Sequence, residues 1–388
     1  MSVRRRRAWL NGLALLVAVV APAWADDPPA AVRVLAGAQW VNADGELAAD
    51  ALLVIGGEKI LQVGGAAPPG VAVDSFPGAV LCPGLIDCQA TLSALGDLCE
   101  RQSAVQPRLN SRAAFDRCAW QLRRALAAGV TTFALVPDDQ NLVGGHIAVC
   151  QTAGPGGRPR VLTDAGPLKL SLAPEVFKAD REPTSRSGAL GLLRSTLTAA
   201  RAAPATDDSP LKAFAQGRLP GILTAPSGAD VSAALEFINE YKLRLAVSHT
   251  LDARLVAEAA AGQLTAAIVG PLDALAGPRA GGAAGQFERH GVPVALAGGL
   301  PQTAPDSLRI GAAVAVREGL SAAAARRAIT AVPAELLGVG DRIGVLQPGR
   351  QADVVVFSAD PLDLRARVLA VYIGGQRVFD AGASQTGP

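Results

Sequence analysis

The segment Val80-Leu81-Cys82-Pro83-Gly84-Leu85-Ile86-Asp87-Cys88-Gln89-Ala90-Thr91 reads as an apolar strand, broken at Pro83 and Gly84 and resumed at Leu85 and Ile86. It ends abruptly in polar residues, as a strand does when its tip opens onto a site. Upstream, Val32 to Leu35, Ala51 to Ile55 and Lys59 to Val63 are short β-rich runs separated by polar, glycine-containing turns, the pattern of small antiparallel hairpins. Downstream the pattern changes. Strands at Val130 to Val136, Leu168 to Leu172, Gly221 to Thr224, Leu243 to Ser248, Leu264 to Val269 and Val292 to Ala297 are expected. Helical stretches lie between or after them, at Arg112 to Ala127, Ser187 to Ala200, Val231 to Tyr241, Asp252 to Ala261, Ala283 to Arg289, Ser307 to Gly319 and Ala322 to Leu337. This alternation predicts an α/β chain built as a (β/α) barrel, with reactive residues at the C-terminal strand ends.

A second decisive block lies near the end of the chain: Thr330-Ala331-Val332-Pro333-Ala334-Glu335-Leu336-Leu337-Gly338, Gly344-Val345-Leu346, Pro348-Gly349 and Ala352-Asp353-Val354-Val355-Val356-Phe357. Pro348-Gly349 makes a turn and the run to Phe357 is dense in β-branched residues. Val368 to Ile373, Gly374-Gly375 and Gln376 to Phe379 then form a hairpin suited to pairing with the N-terminal strands. Together with Pro83-Gly84-Leu85-Ile86-Asp87, this closing block resembles the amidohydrolase superfamily, in particular its secreted branch related to imidazolonepropionase. The resemblance implies a (β/α)8 TIM-like barrel over 81–340. It also implies a small composite β-sandwich domain formed by both chain ends, 26–80 and 341–388.

Basic Arg4 to Arg7, apolar Trp9 to Val20 and small-residue Ala23-Trp24-Ala25 read as an export signal over 1–25, which places the mature protein in the periplasm or another extracytoplasmic space. The apolar run is shorter than the ~20 residues that span a bilayer, and no later stretch reaches that length. Lys plus Arg number 36 and Asp plus Glu 34 in 388 residues, so bulk charge gives no argument for nucleic acid. No phosphate loop or dinucleotide fingerprint accompanies the glycine pairs. The five cysteines, Cys82, Cys88, Cys99, Cys118 and Cys150, match no compact zinc spacing. Cys99 with Cys118 is the leading candidate bridge, and free buried thiols are the alternative.

The family activity implied is hydrolysis of non-peptide carbon–nitrogen bonds. The family uses a His pair on the first barrel strand, a Lys or Glu bridging two metals, a His on each of two later strands, and an Asp on the last strand that takes the water proton. Only His146, His249 and His290 occur in this chain. Matched through the flanking residues, the His pair falls at Cys88 and Ala90, the bridging residue at Gln151, one later His at Thr224, the other at His249, and the Asp at Gly299. A catalytic zinc wants three or four converging imidazole, thiolate or carboxylate ligands with one position left for water. Cys88 and His249 alone fall short of that. The expectation is therefore an amidohydrolase-family protein without its zinc and without catalysis, a pseudoenzyme. Its alternatives are a binding or assembly partner of an active relative and a residual hydrolase using Cys88 and His249. His146 and His290 read as structural. Arg181 and Arg186, near the expected barrel mouth, suggest a small anionic ligand. Self-association as a homodimer, or association with a related ligand-complete barrel, is the expected partnership.

Overall fold

The computed structural model describes residues 32–249, 253–272 and 278–382. The expected export signal lies outside them. Strands β1 (Val32–Ala36), β2 (Gln39–Val41), β3 (Leu47–Ala49), β4 (Leu52–Gly56), β5 (Lys59–Val63), β6 (Val73–Ser75) and β7 (Val80–Pro83) precede the strand that carries the organising segment into the site, β8 (Leu85–Ala90). β1 to β6 are short, as the hairpin pattern predicts, and four of them form one sheet in the order β5-β4-β1-β6. Gly84 separates β7 from β8 for a steric reason: a Cβ there would stand 2.1 Å from Thr131 Oγ1.

The rest follows in chain order as α1 (Gln121–Ala127), β9 (Val130–Leu135), β10 (Val143–His146), β11 (Ala148–Gln151), β12 (Arg160–Thr163), β13 (Leu168–Ser171), α2 (Arg186–Ala202), α3 (Pro210–Ala215), β14 (Gly221–Thr224), α4 (Gly228–Tyr241), β15 (Leu245–Ser248), α5 (Ala253–Ala260), β16 (Ala267–Val269), α6 (Pro278–Arg289), β17 (Val294–Leu296), α7 (Ser307–Arg317), α8 (Ala322–Ala328) and α9 (Ala331–Leu336). β13 to β17 pair in sequence, all parallel. β8 and β9 are also parallel. Between these groups, β10 and β11 are separated only by Ile147 and run antiparallel to their neighbours, β10 beside β13 and β11 beside β9. One run of chain thus serves two sheets. Ile86, Cys88, Ala134, Ile147, Val149, Ile222, Ala246, Ile268 and Ala295 share a core contributed by β8, β9, β11 and β14 to β17, with Ile147 from between β10 and β11. Leu135, Leu170, Leu223, Val247 and Leu296 belong to a second core that also takes in helix residues such as Leu193, Val231 and Leu308. The expected barrel strands thus lie in two sheets, β10-β13-β14-β15-β16-β17 and β12-β11-β9-β8, with antiparallel pairing at β10 and β11. Between β17 and β8, Thr91 N donates to Leu300 O at 2.8 Å and Gly298 N to Asp87 Oδ1 at 3.0 Å, in place of a ladder among the described residues.

Two helices differ from the sequence expectation. The stretch Arg112 to Ala127 is helical only at its two ends, a 3-10 turn at Ser111–Ala114 capped by Asn110 and α1 from Gln121. Asp116 Oδ1 then accepts Cys118 N at 2.8 Å, a local bond that competes with helical pairing. The stretch Ala322 to Leu337 divides into α8 and α9. Pro333 has no N–H to give the carbonyl of Ile329, and that carbonyl instead accepts Ile86 N from β8 at 2.9 Å. α4 starts three residues ahead of the expected Val231, at Gly228. Ser227 Oγ accepts Asp230 N and Ser227 N donates to Asp230 Oδ2, a reciprocal cap.

The last strands are β18 (Val354–Phe357), β19 (Val368–Ile373) and β20 (Gln376–Asp380). They join the early strands in the order β20-β19-β18-β7-β2-β3, with Val354 opposite Pro83 and Phe357 opposite Val80. Leu35, Leu53, Ile55 and Ile60 of the first sheet share a core with Leu81, Val354, Val356, Ala370 and Tyr372 of this one. All five cysteines are free thiols, so the Cys99–Cys118 bridge is not formed. Cys99 Sγ donates to Asp138 O at 3.4 Å and Cys118 is exposed.

Candidate functional site

A cavity of about 510 Å³ opens at the C-terminal ends of β13 to β16. Asp139, Glu175, Thr224 and His249 supply its polar lining, and Pro174, Pro226, Ile268, Val269, Pro271 and Leu272 supply most of the rest. Beneath its wall lies Lys169, on β13 and 1% exposed. Its Nζ donates to Asp139 Oδ1 at 2.5 Å, to Thr224 Oγ1 at 2.5 Å and to Leu170 O at 3.1 Å. An ammonium has three donors, and all three are committed. Burial pushes the Asp139 carboxyl up, but the Lys169 charge and hydrogen bonds from Lys169, Thr224 and Ser171 together outweigh it and hold the group below its usual range.

His249 follows β15 directly, with φ at +62°, a left-handed conformation that a non-glycine residue holds only when its surroundings fix it. Gln89 Nε2 lies 3.5 Å from its Nδ1 and 3.4 Å from its Nε2, and Ser248 Oγ lies 3.3 Å from Nδ1. Burial lowers its pKa from the ordinary 6.5, so the ring is neutral at pH 7.

The other expected site residues fall into three groups. Thr224 and His249 come together in the cavity lining as expected. Cys88 does not join them. Its side chain is fully buried in the core of the parallel strands, its Sγ donates to Leu296 O at 3.5 Å, and burial pushes its thiol well above its usual range. Gln89, one residue on, is the β8 side chain that reaches His249. Ala90 ends β8 with its backbone paired opposite Leu135. At Gly299, φ is +74° and an added Cβ would meet Pro271 Cγ at 3.0 Å, so the position is closely packed.

Gln151 is the clear misplacement. Because β11 runs against β9, its last residue faces Thr132 in the N-terminal half of that strand, away from the strand ends that hold the cavity. Gln151 Nε2 donates to Asp353 Oδ2 at 2.6 Å, and its Oε1 accepts Arg160 Nε at 2.7 Å. Lys169 on β13, followed by Thr224 on β14 and His249 on β15, is the lysine that fits the order the resemblance calls for. A lysine inside the apolar run Leu168-Lys169-Leu170 was the available signal, since a charge there must be buried with a partner. Asp139, in the loop after β9, carried no such mark.

Arg181 and Arg186 do not line the cavity. The Arg181 guanidinium donates to Arg101 O at 2.8 Å, to Asn141 Oδ1 at 2.9 Å and to Gln140 O. Arg186 binds Asp230 Oδ1 and Ala229 O, each at 2.8 Å, at the start of α4. His146 Nδ1 lies 2.9 Å from Gly166 O, a structural contact.

Zinc is held by three or four converging imidazole, thiolate or carboxylate ligands. Around the cavity, Asp139, Glu175 and His249 carry metal-binding atoms, but Asp139 Oδ1 already accepts from a buried ammonium. Among the described residues no group of three or more His, Cys, Asp or Glu side chains converges as a metal site requires. The residues present do not fit the family metal.

Residues 244–379 match the amidohydrolase family. A stretch of 62 residues is 42% identical to the amidohydrolase tasK of Hapsidospora irregularis, covering 16% of this chain and 6% of that much longer protein. Among solved structures, an amidohydrolase from Thermotoga maritima MSB8 superposes with a TM-score of 0.79 at 23% identity, covering 90% of this chain and all of the other. A prolidase complexed with N-methylphosphonate-L-proline gives 0.59 at 18%, with coverage of 90% and 100%. Phenylurea hydrolase B gives 0.56 at 15%, with coverage of 92% and 98%. At these identities the likeness is one of fold. The chain thus carries an amidohydrolase domain match and an amidohydrolase-like fold. The family match includes His249 and Gly299 and leaves out β8 and Lys169.

Proposed function

We propose that this protein is an exported amidohydrolase-fold protein that binds a small molecule at the strand-end cavity without metal-dependent hydrolysis of it. In this reading the strands of 81–340 form the binding barrel, and the sheets built from both chain ends form its composite sandwich. One arrangement carries the reading: Lys169, the residue type the family uses as its metal bridge, is committed as an ammonium to Asp139 and Thr224, each at 2.5 Å, while Gly299 stands where the resemblance calls for the Asp that takes the water proton. Metal hydrolysis needs several ligands around one ion and an acceptor for the water proton. Here one carboxylate is already ion-paired, the thiol of Cys88 is turned into the core, and Gly299 offers no base. The residual-hydrolase alternative has less support, because Gln89, not Cys88, is the β8 side chain beside His249. A homodimer, or a complex with a ligand-complete relative, remains the proposed assembly.

The test is metal analysis of mature protein purified without chelators, paired with a hydrolysis screen of cyclic amides, dipeptides and imidazolones in added zinc or manganese. The expected result is substoichiometric metal and no turnover above background. Stoichiometric metal with turnover that His249→Ala abolishes would overturn the proposal.

A further inference from the structure

We propose that the strand-end cavity selects small organic cations, an ammonium group carried on a compact aliphatic body. This deepens the binding reading above and rests on it. The cavity volume, about 510 Å³, suits a small molecule. Its polar side presents Asp139, whose carboxylate stays 24% exposed beside its ion pair, and Glu175, an exposed carboxylate with no ion pair or side-chain hydrogen bond among the described residues. The charges felt at His249 are these two carboxylates and Lys169, and the imidazole itself is neutral at pH 7. With Lys169 offsetting Asp139, the described lining keeps one net negative charge. The other side, Ile268, Val269 and Leu272 with Pro174, Pro226 and Pro271, is aliphatic.

An anion is disfavoured by the same contacts. All three Lys169 donors are taken by Asp139, Thr224 and Leu170 O. Both candidate guanidiniums are bound elsewhere, Arg181 to Arg101, Gln140 and Asn141, and Arg186 to Asp230 and Ala229. A ligand carboxylate would meet Asp139 and Glu175 with no cationic donor offered by the described lining. An ammonium meets the unpaired Glu175 carboxylate and the exposed edge of the paired Asp139, and its alkyl groups meet the aliphatic side.

The experiment is titration calorimetry of the full mature protein with three probes of matched shape: choline, the neutral 3,3-dimethyl-1-butanol and the anionic 3,3-dimethylbutyrate. Choline is expected to bind more tightly than the alcohol by about 5-fold or more, with butyrate the weakest, and the preference is expected to shrink as salt rises. Glu175→Gln, a rim substitution that leaves the Lys169 pair intact, is expected to cut the choline preference by about 2- to 5-fold while leaving the alcohol unchanged, the range for an exposed charge pair. Tighter butyrate than choline, equal binding of all three, no binding of any probe, or a choline preference indifferent to salt and to Glu175→Gln would each overturn the proposal. Metal content and turnover are read separately. A protein that hydrolyses with bound metal yet keeps the choline preference refutes the functional reading and not the charge selectivity.

Discussion

Breaking the Lys169–Asp139 pair from each side tests the arrangement most directly. Lys169→Met keeps a side chain of similar length while removing a charge and three hydrogen-bond donors. Lys169 is 1% exposed and Asp139 is 24% exposed, so the carboxylate left behind can still reach solvent through the cavity. Removing one partner of a buried pair costs about 3–5 kcal/mol, and the exposure of Asp139 puts this variant near 3. Asp139→Asn strands the ammonium instead, with only Thr224 Oγ1, Leu170 O and the new amide around a side chain that has no path to water. Its expected cost is nearer 5 kcal/mol by the same comparison. The double variant buries no unpaired charge, so it should lose less than the sum of the two single losses by about 3 kcal/mol. Urea unfolding followed by tryptophan fluorescence at pH 7 supplies the three free-energy differences, provided the slopes with urea agree. A double variant equal to the sum within about 0.5 kcal/mol would mean that the two side chains do not interact as described.

The pH dependence of stability should be unusual at its acid end. Burial pushes the carboxyls of Asp87 and Asp353 up to about 6, against backbone and side-chain donors that favour their ionised forms. A folded-state value above the unfolded one contributes stability that is full below about 4 and is lost as pH rises through about 6. His249, whose value is lowered, works in the opposite sense, losing stability as pH falls below its ordinary 6.5. The two carboxyls should outweigh it, so the unfolding free energy is expected to rise by about 1–2 kcal/mol from pH 7.5 to pH 5. A steady fall over that range in chemical denaturation would contradict the assignment. Gly299→Asp, which puts back the side chain type expected on the last strand, should not create a functional base. With φ at +74° and Pro271 only 3.0 Å from the new Cβ, it should cost about 1–3 kcal/mol and leave turnover at background. A thermally unchanged variant with new metal-dependent turnover would show that Pro271 yields.

The sequence made the general plan readable because its strongest signals are local. Pro83-Gly84 and the β-branched run at Val354 to Phe357 each act within a few positions of themselves. Thr224 and His249 were found because each sits at the end of a strand recognisable by composition. Gln151 was misplaced because strand direction is a tertiary property. An apolar run looks the same whichever way it crosses a sheet, and the reversal at β10 and β11 moves its end to the far side. Lys169 lies in a strand legible from its apolar flanks, but only the fold brings Asp139 and Thr224 to its buried charge. Asp139 and Gln89 are loop and strand-end side chains whose roles depend on partners distant in sequence. The helix expected through Arg112 lost to side-chain bonds at Asn110 and Asp116, which composition alone does not rank.

The pairing of β7 with β18 has a consequence for the chain as it is made. Val354 faces Pro83 and Phe357 faces Val80, so one flank of β7 stays unfilled until nearly the whole polypeptide has left the ribosome. Its other neighbour, β2, meets it at only two residue pairs. Contacts between segments so distant along the chain form late and slowly, and an unpaired apolar strand is open to joining another molecule in the meantime. A chain cut short before Val354 would therefore be altered at its beginning as well as its end, carrying the strand just ahead of the β8 entry into the site as a sticky edge for the life of the fragment.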